Sequence, residues 1–225
     1  NSKNKFWYHS KAKKVGESYV VKAPIFSEEK PFWVYANVTY KMASSVAGVG
    51  YYYGAYNSDK YVVSSKINLL SPDHLRVMKI KGTLQSTSMI ENFSKDWERE
   101  WFSYRPENWS RSTHKIYDDR YKAPYGSRLI VKVKSEQNNK LVIVLNDYAA
   151  EVELKGNHVE NVFELKPENF KSAEALTLKN WKELHTLKLS DSEVLRKGRG
   201  KEQKTAKFGA LWKGENPSFQ SLYWK

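Results

Sequence analysis

The densest chemistry in this sequence lies between Trp97 and Tyr125. That stretch holds Trp97, Trp101, Phe102, Tyr104, Arg105, Trp109, Arg111, His114, Tyr117, Arg120, Tyr121 and Tyr125. Sugars present flat C–H faces that stack on aromatic rings, while hydroxyls and carboxylates suit planar donors such as arginine. Rigid amphipathic side chains gathered in a loop can form a ligand platform. Trp101, Tyr104, Arg105, Trp109, Arg111 and Tyr117 are its candidate residues. The competing reading is that these aromatics are core, as tryptophans of small β-sandwiches usually are, Trp97 and Trp181 first among them. A second cluster runs Tyr51-Tyr52-Tyr53-Gly54-Ala55-Tyr56. Adjacent tyrosines in a strand point both ways, so one face meets water, and Tyr52 and Tyr53 join the candidate set. The alternative is an aromatic-lined sheet edge.

Other chemistries find less support. Cysteine is absent, which excludes disulfides, thiolate metal sites and cysteine nucleophiles. The five histidines show no metal-ligand spacing, so no metal site is expected. Asp118-Asp119 sits in a basic stretch and is expected to pair with Arg111 or Arg120 rather than move protons. No Gly-x-Ser-x-Gly elbow exists. Arg105 or Arg111 with His114 and Tyr117 could compose a polysaccharide-lyase set, in which arginine neutralises a uronate and His and Tyr act at the ring. That enzyme is the chief alternative to binding, and a purely structural role is the second. Basic charge with aromatics also describes nucleic-acid binders. Here the basic residues are scattered among acids, and no nucleic-acid motif appears, which argues against such a partner.

These side chains need a scaffold, and the periodicity is mostly that of strands. Forty per cent of the 225 residues are hydrophobic, enough for a core. Residues 32–40 and 61–69 alternate apolar and polar, as do 129–134 and 150–154. Residues 140–145 are apolar on both faces after Lys140, as expected of a central strand. The polar run 135–139 between two such strands predicts a hairpin. Further strands are expected at 162–165 and 184–189. Ser71-Pro72-Asp73 opens a short helix, and Pro106-Glu107-Asn108-Trp109 and Pro167-Glu168-Asn169-Phe170 read as helical turns. The basic run 196–207 reads as an exposed loop. Residues 81–88 are small and polar, the best linker in the chain. A split there gives domains of 1–85 and 88–225.

No window approaches the roughly 20 apolar residues of a membrane-spanning helix, and no membrane partner is expected. The first five residues carry neither an initiator Met nor an apolar signal core, as expected of a mature or trimmed chain. There are 38 basic and 25 acidic residues, a formal charge of +13. Residues 1–85 hold 13 of the basic and 5 of the acidic ones.

Residues 88–225 carry a resemblance. Met89-Ile90-Glu91-Asn92-Phe93 followed by Trp97, the strands at 128–134, 140–145, 149–154 and 162–165, the turn at 167–170, and Trp181 before 184–189 are similar to family-11-like carbohydrate-binding modules. These are galactose-binding-like β-sandwiches. The resemblance implies an all-β jelly-roll sandwich, here preceded by a smaller N-terminal β segment. It implies non-catalytic polysaccharide binding, with the charge favouring an anionic polymer, as an extracellular or periplasmic accessory region of a larger enzyme such as an esterase. Such modules often hold a structural calcium ion through carboxylates near the first and last strands. Glu91 could serve, but Ser221-Leu222-Tyr223-Trp224 offers no acid, so no cofactor is expected.

Overall fold

A computed structural model describes residues 6–49, 55–95, 97–103 and 108–225. Strands occupy 42% of it and helix 10%, so the fold is all-β. Among the described residues no helix is long and apolar enough to cross a membrane. The chain separates into two compact units, Ser10–Gln85 and Asn1–His9 with Ser86–Lys225. Residues 6–9 thus group with the larger unit, not with the segment that follows them. Phe6 meets the Tyr121 ring edge-on at 5.7 Å, and the Tyr8 hydroxyl donates to Asp118 Oδ1 at 3.1 Å.

The smaller unit holds β1 (Lys13–Val15), β2 (Ser18–Val20), β3 (Phe32–Val34), β4 (Asn37–Val49), β5 (Ala55–Ser64), β6 (Asn68–Leu70) and the helix α1 (Pro72–Val77). Its strands pair two by two, β1 with β2, β3 with β6 and β4 with β5. The alternating runs 32–40 and 61–69 each break where a continuous strand was expected. They break at the same level, where Ser65 N–H donates to the Ala36 carbonyl and Ala36 N–H to Ser65 Oγ. One long ribbon therefore bends instead of ending. Ser71 caps α1 by accepting the His74 amide, with Pro72 at the first helical position as its sequence predicts.

The larger unit is a sandwich of β7 (Met89–Glu91), β8 (Arg111–Thr113), β9 (Leu129–Lys134), β10 (Asn139–Leu145), β11 (Tyr148–Leu154), β12 (Glu160–Leu165), β13 (Leu187–Ser190) and β16 (Ser218–Trp224). The hairpin of β14 (Ser192–Lys197) and β15 (Lys204–Gly209) is inserted before the last strand. One antiparallel sheet has the order β12-β9-β16-β7 and the other β11-β10-β13-β8. Eight strands so arranged make a jelly roll. Leu129, Val131, Val133, Leu222 and Trp224 from the first sheet meet Leu141, Ile143, Leu145, Leu187 and Leu189 from the second in one buried core.

Two sequence expectations are corrected here. Strands β9 and β10 do not form a hairpin; they lie in opposite sheets. The alternation of 129–133 and 141–145 toward one core is the same for a hairpin and for an arch between sheets. The arch is fixed by two non-local bonds, Asn139 Nδ2 donating to the Lys213 carbonyl and Lys213 N–H donating to Asn139 Oδ1. The basic run 196–207 is not all loop, since its ends belong to β14 and β15. Leu195 and Phe208 of that hairpin cover Val142, Val144 and Ala149. This cover is why β10 is apolar on both faces. Gly209 permits the close seat, because a Cβ there would lie 2.0 Å from the Asp191 carbonyl oxygen.

Candidate functional site

The site grows from the end of β7. Beyond it the chain turns sharply, with Phe93 in the left-handed region at φ +50. Glu91 Oε1 holds that turn by accepting the amides of Asn92 and Phe93 at 3.0 and 3.2 Å. Phe93 is thereby aimed at the aromatics of the next segment and of β16. A continuous belt of rings results. Trp212 meets Trp109 at 4.9 Å, and Trp109 meets Phe219 at 5.8 Å. Phe219 stacks on Phe93 at 5.0 Å, Phe93 meets Trp97 edge-on at 5.0 Å, and Trp97 meets Trp101 at 5.5 Å. Such offset and edge-to-face contacts add to the gain from burial itself.

The outer part of the belt walls a groove of about 280 Å³, lined by Phe93, Trp97, Trp109, Phe219, Arg111, Glu98 and residues 216–218. Arg111 is anchored through Nη1 to the carbonyls of Asn108 and Ser110. The indole N–H of Trp109 is buried and has no acceptor among the described residues. Two of the eight candidate residues, Trp109 and Arg111, thus come together. Trp101 does not join them in a platform. It is 5% exposed and donates its indole N–H to Glu91 Oε2 at 2.8 Å, which makes it core. Tyr117 is 47% exposed and lines neither cavity described here. Tyr104, Arg105, Tyr52 and Tyr53 lie outside the described residues, as does the start of the turn expected at 106–109.

His114 is engaged elsewhere. Its Nδ1 lies 2.9 Å from the His185 carbonyl and 3.2 Å from Thr186 Oγ1, and its ring packs on Phe102. It lines neither cavity, so of Arg111, His114 and Tyr117 only Arg111 reaches the groove. Asp118 caps a turn by accepting the Arg120 amide, and Asp119 pairs with Lys122 at 2.6 Å. Sequence reasoning missed Phe219 as a groove-builder and Trp212 as the ring that packs on Trp109. The pairing of β16 brings Phe219 more than a hundred residues back to Phe93 and Trp109, and the segment before that strand carries Trp212.

A second cavity of about 350 Å³ opens on the other side of Trp97 and is walled by Glu91, Glu100, Lys115 and Tyr121. Lys115 is 3% exposed. Its Nζ donates to Glu91 Oε2 at 2.7 Å, Glu100 Oε2 at 2.5 Å and the Ile90 carbonyl at 3.3 Å. Burial alone would lower its pKa, but the hydrogen bonds of the two carboxylates outweigh it and hold the ammonium above its ordinary range. Burial also raises the Tyr121 hydroxyl, and it raises that of Tyr8 with help from Asp118. Among the described residues no group of three or more His, Asp or Glu side chains converges as a metal site would require.

Compared with known protein families, curated proteins and solved structures, the chain matches none of them.

Proposed function

We propose that this chain binds polysaccharide without acting on it, as an accessory region of a larger secreted carbohydrate-active enzyme. The observation that supports this reading is the groove in which Trp97, Trp109, Phe93 and Phe219 stand around the anchored Arg111. Aromatic walls offer surface to the C–H faces of a sugar ring, and a fixed guanidinium offers paired donors to a hydroxyl or carboxylate. With a formal charge of +13, anionic polymers are drawn more strongly than neutral ones.

Affinity electrophoresis in gels containing alginate, pectin or a neutral β-glucan tests it. Retardation is expected, strongest on the acidic polymers. The substitution Arg111→Gln weakens acidic-polymer binding roughly tenfold, the worth of a charge-assisted hydrogen bond. It leaves the fold intact by circular dichroism. A folded protein that no glycan retards overturns the reading.

A further inference from the structure

The sandwiches that this chain resembles often hold calcium through carboxylates near their first and last strands, so the residues at that place can be tested for fit. Strand β7 is the first of the sandwich and pairs with the last, β16, where Glu91 lies opposite Leu222. Three oxygens converge beside that junction, the Ile90 carbonyl, Glu91 Oε2 and Glu100 Oε2. Their common centre is the ammonium of Lys115. A calcium ion needs roughly six to eight oxygens at about 2.3–2.6 Å. A lysine ammonium needs three acceptors, which is what the cage supplies. The rings of Phe6 and Tyr121 approach the same nitrogen at 5.7 and 5.5 Å and add cation–π attraction. These residues fit an ammonium and do not fit a metal.

We infer that Lys115 is a built-in cation, which ties the buried Glu91 carboxylate at the β7–β16 junction to the partly exposed carboxylate of Glu100 and makes the closure of the sandwich independent of divalent ions. Glu91 links the cage to the rest of the site. Its other oxygen holds the Phe93 turn, and Oε2 also takes the Trp101 indole. The same ammonium therefore supports the inner end of the aromatic belt. Without it, the buried Glu91 carboxylate loses its counter-charge beside the partly exposed one of Glu100, and that arrangement attracts a cation from solution.

Thermal unfolding of the whole chain in EDTA and in 5 mM calcium chloride tests this (roughly millimolar, in the range of weak extracellular calcium sites). The wild type is expected to melt at the same temperature in both, within about 1 °C. Lys115→Ala melts roughly 10 °C lower in EDTA, as loss of one partner of a buried pair requires. Calcium then restores part of the loss, and the double variant Lys115→Ala/Glu91→Gln shows no such rescue. If Lys115→Ala does not fold, Glu100→Gln serves instead. It retains the Lys115–Glu91 pair and stays insensitive to calcium. A wild type or Glu100→Gln chain that calcium stabilises or EDTA destabilises overturns the inference, as does a Lys115→Ala chain as stable as the wild type.

Discussion

Tyr40 faces Tyr61 across the β4–β5 ribbon of the smaller unit, and the two remain 55% and 60% exposed. Leu145 faces Leu187 across β10 and β13 of the sandwich, and both are fully buried. Both pairs sit in regular stretches of antiparallel ladder, yet only one of the ladders makes a core. Val38 and Val63, next along the same face of the ribbon, are also exposed. Among the described residues of Ser10–Gln85 only Ile25 and Leu75 are buried hydrophobics, against 18 in the main cluster of the sandwich. Backbone pairing exchanges water for peptide partners with little net gain, and a two-stranded sheet on its own is marginal. Stability comes when a second layer covers the apolar face. The sandwich gains a third layer where β14–β15 covers β10.

The comparison breaks most readily at the sandwich core. Leu187→Ala is expected to destabilise the larger unit by about 3 kcal/mol, measured by urea denaturation, because it leaves a cavity between two packed sheets. A loss below about 1 kcal/mol would show that the two layers pack loosely. A smaller effect lies at the hairpin cover. Glu151 binds Lys140 and accepts the Gly209 amide, and these partners, Lys140 first, hold its carboxyl below the usual range. Its contribution is therefore complete above the unfolded carboxylate pKa of about 4.3 and is lost as pH falls through the lower folded value. Glu151→Gln should reduce stability at pH 7 by less than about 1 kcal/mol, and the gap to wild type should narrow as pH falls below the unfolded carboxylate pKa of about 4.3. Urea midpoints measured across that range decide it. The smallest effect belongs to the ribbon. Tyr61→Ser should change the stability of either unit by no more than about 0.5 kcal/mol, and amide hydrogen exchange in 37–41 should stay fast compared with 141–145.

Much of this architecture is legible in the residues, and the misreadings have common causes. Alternation located β9, β11 and the bent ribbon, and Ser71-Pro72 marked the start of α1. The link from β9 to β10 was misread because a polar turn between two alternating strands is compatible with a hairpin and with an arch. Deciding between them requires β12, β13 and β16, which lie 20 residues or more downstream. The site divides in the same way. Trp109 and Arg111 could be named from a local wealth of aromatics and arginines. The burial of Trp101 could not, because its partner Glu91 is ten residues away across a turn. Lys115 gave no signal at all. One lysine among 38 basic residues looks like surface until the fold encloses it with two carboxylates.

The place of β16 has a kinetic consequence. It is the last strand of the sandwich in chain order, yet it lies between β9 and β7, and its register with both spans most of the larger unit. On a ribosome, β7 and β9 emerge early and wait as unpaired edges until residues 218–224 are free. Zipping the final strand into an interior slot brings together segments far apart along the chain, a topology that folds slowly. During that interval the half-built sheet offers two sticky borders to any neighbouring chain, and the speed of its closure sets how long the nascent molecule is vulnerable to misassembly.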